Sequence, residues 1–220
     1  METLRYQELD YVLRRPENFS ETEKYPLVVY LHGAGGRGRN LDVILNHPFF
    51  SCTKEHLKGV VSLAPQCYED SWFTIFEQLQ RFLEHAISWE YIDKTKVYLV
   101  GASMGGYTTW QMAESRPELF AAIIPICGGG MYWNAGRLKS MGVWAFHGEL
   151  DVTVFPEESK KMVDKINVAG GNAKLTVYEN TAHNAWTPTF ENPKVWEWLL
   201  SHSLAYAEAA PVCQGVKNFG

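Results

Sequence analysis

The chain has 220 residues, of which 46% are hydrophobic, and its formal charge at pH 7 is −5. This length suits one domain with a sizeable buried core, and the negative charge argues against a protein that tracks nucleic-acid phosphates. No stretch approaches the ~18 consecutive apolar residues of a transmembrane helix, so no membrane partner is expected.

Short β-rich runs alternate with helix-like segments along the chain. The predicted strands are residues 6–13 (an antiparallel edge strand), 27–31, 60–63, 96–100, 120–126, 143–146 and 174–178. The predicted helices are residues 75–91, 104–115, 156–168 and 193–203. Such alternation predicts an α/β fold with a mostly parallel central sheet flanked by helices on both faces.

A single domain is expected to span residues 1–220, because no internal repeat or low-complexity linker interrupts the pattern. Its core is predicted over about residues 25–203. The tail, residues 204–220, lacks a clear pattern and is predicted to be loosely ordered.

The N-terminal residues and the cysteines favour a cytoplasmic location. Residues 1–6 do not begin a basic segment followed by an apolar run, as a secretory signal would. The cysteines show neither CxxC pairing nor zinc-like spacing, so we expect mostly reduced thiols and no metal site, with disulfide state left open. They are Cys52, Cys67, Cys127 and Cys213.

Chemistry-bearing residues follow four of the predicted strands, and ligands bind beyond the carboxyl ends of strands in a parallel sheet. The four segments are His-Gly-Ala-Gly-Gly at 32–36, Gly-Ala-Ser-Met-Gly-Gly at 101–106, His-Gly-Glu-Leu-Asp at 147–151 and Glu-Asn-Thr-Ala-His at 179–183. A serine, a histidine and acidic side chains are therefore expected on one rim of the sheet.

Ser103 is the candidate nucleophile, because residues 101–105 match the G-x-S-x-G pattern between a predicted strand and a predicted helix. The glycines let strand and helix approach closely, and the turn places the hydroxyl at a helix N-terminus, where backbone N–H groups favour developing negative charge. The alternative is a small-residue turn that only serves packing.

A serine hydroxyl needs a base, and the base needs an acid to hold its tautomer. We predict His183 as the base and Asp151 as the acid, in the chain order nucleophile, acid, base that is typical of this motif. Glu149 is the alternative acid, since it lies two residues closer to the strand. His32 and His147 each precede a glycine at a strand end and are interpreted as loop supports.

Acyl transfer also requires fixed N–H donors for an oxyanion. We predict the backbone N–H groups of Met104 and Ala34 for this role. Residues 33–38 also fit the G-x-G-x-x-G pattern of dinucleotide-binding folds, but no acidic residue ends a second strand about 20 residues later, which argues against a nucleotide cofactor.

These motifs together resemble the α/β-hydrolase carboxylesterases, with particular likeness to the phospholipase/carboxylesterase and feruloyl-esterase-like group. Ala-Pro-Gln at 64–66, Ile-Cys-Gly-Gly-Gly at 126–130 and Ala-His-Asn-Ala-Trp at 182–186 add to the likeness. The resemblance implies a Ser-His-Asp esterase without cofactor or large cap domain. It also implies that Gly33, Trp72 and Trp186 contribute to the substrate pocket.

The predicted activity is hydrolysis of small-molecule carboxylic esters with short-chain or aryl acyl groups through an acyl-enzyme. The short connection between Cys127 and Met141 predicts a small, open cleft, which argues against a lidded lipase or a gated oligopeptidase. A thioesterase, a carbohydrate deacetylase, a peptidase and a non-catalytic binding protein remain alternatives. The natural ester and the oligomeric state are open at this point.

Overall fold

The computed structural model describes residues 1–204. The prediction of a loosely ordered tail therefore lies outside the described residues, apart from Leu204, and so does Cys213. The single-domain assignment stays a prediction.

Helices and strands alternate along the described chain, as the sequence predicts. The strands are β1 Glu2–Tyr6, β2 Leu9–Arg14, β3 Tyr25–Leu31, β4 Val61–Pro65, β5 Ile92–Ala102, β6 Ala122–Ile126, β7 Gly142–Gly148 and β8 Lys174–Tyr178. The helices are α1 Asp42–Leu45, α2 Pro48–Cys52, α3 Phe76–Ile87, α4 Met104–Ser115, α5 Glu157–Val168, α6 Trp186–Glu191 and α7 Pro193–Leu200. Short 3₁₀ turns cover Ala34–Gly36, Pro117–Leu119 and Tyr132–Leu138.

All the strands join one 8-stranded sheet in the order β1-β2-β4-β3-β5-β6-β7-β8. Strands β3 to β8 run parallel to one another, whereas β1 and β2 are antiparallel additions at the edge formed by β4. The carboxyl ends of the parallel strands therefore lie along the same rim, and the loops that follow them can meet there.

Strand β3 shows why the sheet is covered on both faces. Leu27, Val29 and Leu31 pack into one hydrophobic cluster, whereas Val28 and Tyr30 pack into the other. Successive side chains of a strand point to opposite faces, so an uninterrupted apolar run of this kind is stable only between two layers of helices.

The structure differs from the predicted elements in its shortest segments. The N-terminal strand is a hairpin of β1 and β2, in which Gln7 takes the left-handed conformation with φ 51°. Helices α1, α2 and α6 were not predicted, because four to six residues are too few to show a helical period. Helix α2 begins with Pro48 in its first turn, and Nδ1 of His47 accepts a hydrogen bond from Phe49 N–H.

None of the helices within residues 1–204 has the length and apolarity needed to cross a membrane. The cytoplasmic location stays a prediction.

Helix α4 buries a carboxyl group that gives the fold a testable pH dependence. Glu114 is 1% exposed, and the nearby Met131 N–H and Arg137 only partly offset the cost of burying its charge. Burial raises the pKa of Glu114 to about 7. The folded state therefore holds this proton more tightly than the unfolded chain does, so the stabilisation is complete below the unfolded pKa and is lost as the pH rises through about 7.

Replacing Glu114 with Gln is expected to stabilise the protein more at pH 8 than at pH 5. The amide does not titrate, so the difference between the two free energies of unfolding, variant minus wild type, should grow by about 2 kcal/mol over this range. Urea unfolding of both proteins at the two pH values measures it. A difference that is the same at both pH values would contradict the assignment of a buried, titrating carboxyl.

Candidate active site

Ser103 lies at the sharp turn between β5 and α4. It has φ 56° and ψ −117°, a left-handed conformation that is rare for a residue with a side chain. Its N–H donates to Ile126 O at 2.8 Å, which ties the turn to the neighbouring strand β6. Backbone strain of this kind persists only where the surroundings enforce it, and it is characteristic of functional sites.

Two glycines beside Ser103 are required by close packing. A Cβ atom on Gly105 would lie 1.9 Å from Leu31 O, and one on Gly101 would lie 2.2 Å from Gly105 O. Both separations are far inside contact distance, so α4 can pack against β3 and β5 only because these side chains are absent. The glycines of the motif therefore set the direction in which the serine points.

His183 joins the serine to an acidic side chain. It lies in the loop between β8 and α6, where its Nε2 is 2.8 Å from Ser103 Oγ. Its Nδ1 is 2.7 Å from Asp151 Oδ2. The three predicted residues therefore form one continuous hydrogen-bonded relay, although they lie up to 80 positions apart in the chain.

Asp151 is held by hydrogen bonds on both of its carboxylate oxygens. It is 2% exposed, and its Oδ1 accepts from Thr153 N–H at 2.9 Å and from Val154 N–H at 3.0 Å. Burial alone would raise the pKa of Asp151, but the hydrogen bonds from His183, Val154 and Thr153 outweigh it and hold this pKa below its ordinary value. The carboxyl is therefore ionised at neutral pH.

Glu149, the other acidic candidate, does not reach the relay. Its side chain is exposed, and its Oε2 accepts a hydrogen bond from Asn180 N–H at 3.0 Å. The structure thus places Asp151 rather than Glu149 against His183.

Two backbone amides lie beside the serine without an acceptor in the protein. Ala34 begins a 3₁₀ turn and Met104 is the first residue of α4, so neither N–H has an intrahelical partner. Within residues 1–204 neither donates to another protein group. The preceding residue Gly33 adjoins the serine, since a Cβ atom on it would lie 3.3 Å from Ser103 Cβ.

A largely apolar cavity of about 420 Å³ opens onto this relay. Its size suits a small acyl or aryl group. Its walls are formed by Tyr30, Gly33, Ala34, Gly35, Gly36, Val43, His47, Ala102, Ser103, Thr153, His183 and Trp186. Gly33 and Trp186 are thus among the lining residues. Tyr30, Val43 and His47 were missed because they come from within β3 and from the unpredicted helical segment 42–52.

The prediction that Trp72 lines the pocket is wrong. Its side chain is fully buried, and its Nε1 donates to His32 O at 3.0 Å. Its ring also packs against the ring of His32, with 4.9 Å between the centroids. Trp72 therefore lies in the protein core and supports the loop that follows β3. Trp186, in contrast, meets the His183 ring edge-on, with 5.5 Å between the ring centroids.

One group of side chains has the composition of a metal site. Cys127, His147 and Asp151 are buried and bring one ligand atom each within 4.8 Å of one another. All three are engaged within the protein, since Cys127 Sγ lies 3.1 Å from His183 O and His147 Nε2 lies 2.9 Å from Val154 O. These contacts, together with the bond between Asp151 and His183, fit a site that supports the relay. The three cysteines among the described residues form no disulfide with one another.

The sheet order, the strained serine after β5 and the loops that meet at one rim define the class of fold. The chain has the α/β-hydrolase fold, as the sequence predicts. A sequence model of the prolyl oligopeptidase family matches residues 66–133.

The known structures that the chain resembles include esterases and, at 14–17% identity, dipeptidyl peptidases. The crystal structure of a thermostable esterase aligns with a TM-score of 0.79 and 32% identity, over 92% of this chain and 62% of that one. Est1E from Butyrivibrio proteoclasticus, solved with ferulic acid bound, aligns with a TM-score of 0.68 and 17% identity, over 88% of this chain and 94% of that one.

Among the curated relatives, a probable feruloyl esterase C of Aspergillus niger is 22% identical over 147 residues, which are 63% of this chain and 53% of that protein. The chain therefore spans about half the length of the curated relatives it matches. The predicted resemblance to α/β-hydrolase esterases is confirmed.

Proposed function

We propose that the protein is a serine esterase that hydrolyses carboxylic esters with short-chain or aryl acyl groups. The observation that carries the proposal is the relay of Ser103, His183 and Asp151, with contacts of 2.8 and 2.7 Å, at the wall of an apolar cavity. A nucleophile in contact with a base, and a base in contact with a buried carboxylate, are the elements that acyl transfer requires.

In the acylation step, Ser103 Oγ attacks the ester carbonyl carbon while His183 Nε2 takes the hydroxyl proton. Asp151 holds the Nδ1–H tautomer and stabilises the imidazolium that forms. The carbonyl oxygen becomes an oxyanion, which the N–H groups of Ala34 and Met104 can bind. Collapse of this intermediate breaks the bond to the alcohol, which leaves with the proton from His183.

In the deacylation step, His183 removes a proton from water, and the resulting nucleophile attacks the acyl-serine carbonyl. The same two amides bind the second oxyanion. When it collapses, the bond to Ser103 Oγ breaks and His183 returns the proton to that oxygen. The carboxylic acid is released, and no cofactor is needed for either step.

The cavity and the relatives favour an acyl group of limited size. The cavity volume of about 420 Å³ lies in the lower part of the range for small-molecule sites. Because the relatives include probable feruloyl esterases and a structure with bound ferulic acid, aryl acyl esters are natural first substrates. A peptidase is the second candidate, since the prolyl oligopeptidase family matches residues 66–133.

Turnover of a substrate panel, combined with covalent labelling, tests the proposal. We expect hydrolysis of p-nitrophenyl acetate, p-nitrophenyl butyrate and methyl ferulate, with little turnover of an acetylated sugar, an acyl thioester or a dipeptide p-nitroanilide. A fluorophosphonate probe should modify the protein, and peptide mass spectrometry should locate the label on Ser103. Preferential cleavage of the anilide would indicate a peptidase, and a chain that is neither labelled nor active would indicate a binding protein.

A further inference from the structure

A second imidazole, that of His147, lies against the relay. His147 is the penultimate residue of β7, and its side chain is fully buried. Its Nε2 lies 2.9 Å from Val154 O and 3.3 Å from Asp151 Oδ2. Because a carbonyl and a carboxylate oxygen can only accept hydrogen bonds, Nε2 carries a proton that points between them.

The other nitrogen of this ring faces helix α5. Burial lowers the pKa of His147, so the ring is neutral near pH 7 and its only proton lies on Nε2. Nδ1 is then an acceptor, and it lies 2.8 Å from Ser159 Oγ. Ser159 Oγ also donates to Gly128 O at 2.9 Å, so its single proton is shared between that carbonyl and Nδ1.

The hydrogen bond from His147 to Val154 holds the turn whose N–H groups bind Asp151. The N–H of Val154 donates to Asp151 Oδ1 at 3.0 Å, while its carbonyl accepts from His147. His147 thus anchors one of the two peptide groups that hold Oδ1 and also touches Oδ2. Asp151 Oδ2 is in turn the atom that bonds to His183.

We propose that His147 is a positioning residue, which aims the Asp151 carboxylate at His183 through the Val154 peptide and is itself held in place by Ser159. The inference rests on the proposed esterase function. It assigns no contact with substrate, because His147 is not among the residues that line the cavity.

The loss of the His147 donor should change turnover and its pH dependence together. In His147→Phe, a buried ring remains, but Val154 O and Asp151 Oδ2 each lose a donor. We expect kcat per active site to fall about 10- to 100-fold, with KM nearly unchanged, because the relay is misaligned while the cavity is not. The negative charge on Oδ2 then interacts with His183 alone. We therefore expect the acid limb of the pH profile of kcat/KM to move to higher pH by about half a unit.

The other titratable groups near Asp151 do not produce such a shift. They are the Cys127 thiol and the more distant Tyr107 hydroxyl. Burial raises the pKa of both groups, to about 12 for Cys127, so both stay neutral throughout the acid limb.

The test compares four variants with the wild type on p-nitrophenyl butyrate. His147→Phe removes both polar ring atoms, and His147→Gln restores an N–H donor at the position of Nε2. Ser159→Ala leaves the imidazole but removes its Nδ1 partner, and this small change keeps the test open if His147→Phe does not fold. Tyr98→Phe is the matched control, because it removes an equally buried hydrogen bond, to His202 O, from a side chain that lies outside the relay and the cavity.

Active sites are counted by fluorophosphonate titration, so that misfolded molecules do not enter kcat. The inference is supported if His147→Phe has a lower kcat per titrated site and an acid limb shifted to higher pH. Ser159→Ala should show a smaller change of the same kind, and His147→Gln should recover both properties. Tyr98→Phe should match the wild type in kcat per site and in the acid limb. If the variants lose titratable sites or thermal stability while kcat per site and the acid limb match the wild type, the inference is wrong. An inactive wild type would instead overturn the proposed function.

Discussion

Replacing Ser103 with Ala is expected to lower kcat for p-nitrophenyl butyrate by about 10⁵-fold or more. The variant lacks the only atom that can form the acyl-enzyme, whereas the base, the acid and the two amides remain in place. Residual hydrolysis would come from binding and oxyanion stabilisation alone. The fluorophosphonate label should be lost in parallel, because it needs the same oxygen.

A serine at the other end of α4 provides the control for the folding of the Ser103→Ala variant. Ser115→Ala removes a hydroxyl at the far end of α4, where it accepts a hydrogen bond from Gln111. It should keep wild-type kcat and labelling. Thermal unfolding of both variants should show native-like transitions, since each change removes a single oxygen atom. Equal turnover by wild type and Ser103→Ala would show that Ser103 is not the nucleophile.

Much of the fold could be predicted from the sequence because its signals are local. Strand β3 is a continuous apolar run between turn residues, and α4 follows strand β5 through a glycine-rich turn in which strand and helix pack closely. The prediction for α4, residues 104–115, matches the observed Met104–Ser115. Parallel strands then place their carboxyl ends on one rim, so the four segments that follow them could be grouped before any distance was known.

The sequence favoured Asp151 over Glu149 as the acid but could not settle which of the two contacts His183. Glu149 and Asp151 lie two residues apart after the same strand, so their spacing cannot decide which carboxylate turns inward. In the structure the chain bends after Gly148, where a Cβ atom would lie 2.0 Å from Ala182 O. That close approach brings the loop of His183 against Asp151 and leaves Glu149 exposed.

The error at Trp72 has a related cause. A tryptophan after a strand end can face the site or the core, and composition does not distinguish the two. Trp72 faces inward because its Nε1 has a carbonyl partner at His32, beneath the loop that carries Gly33 and Ala34. His147 could be interpreted as a loop support from its place at a strand end, but its partners Val154 and Ser159 could not be predicted, since they come from the following loop and helix.

Replacing Asp151 with Asn is expected to lower kcat by about 10⁴-fold while leaving the fold intact. The amide oxygen of Asn can still accept from the N–H groups of Thr153 and Val154. Its NH₂ group would then face His183 Nδ1, which must become an acceptor. The imidazole proton moves to Nε2, so the nitrogen that faces Ser103 can no longer take the hydroxyl proton.

Glu149→Gln is the matched control for this prediction. It makes the same carboxylate-to-amide change two residues away, on an exposed side chain whose bond from Asn180 N–H the amide oxygen can keep. We expect its kcat to stay within about 2-fold of the wild type, since surface substitutions away from a site have small effects. The comparison uses p-nitrophenyl butyrate, with active sites titrated in both variants. If Glu149→Gln abolishes turnover and Asp151→Asn does not, the acid has been assigned to the wrong residue, because the relay in solution would then have to run through the other carboxylate.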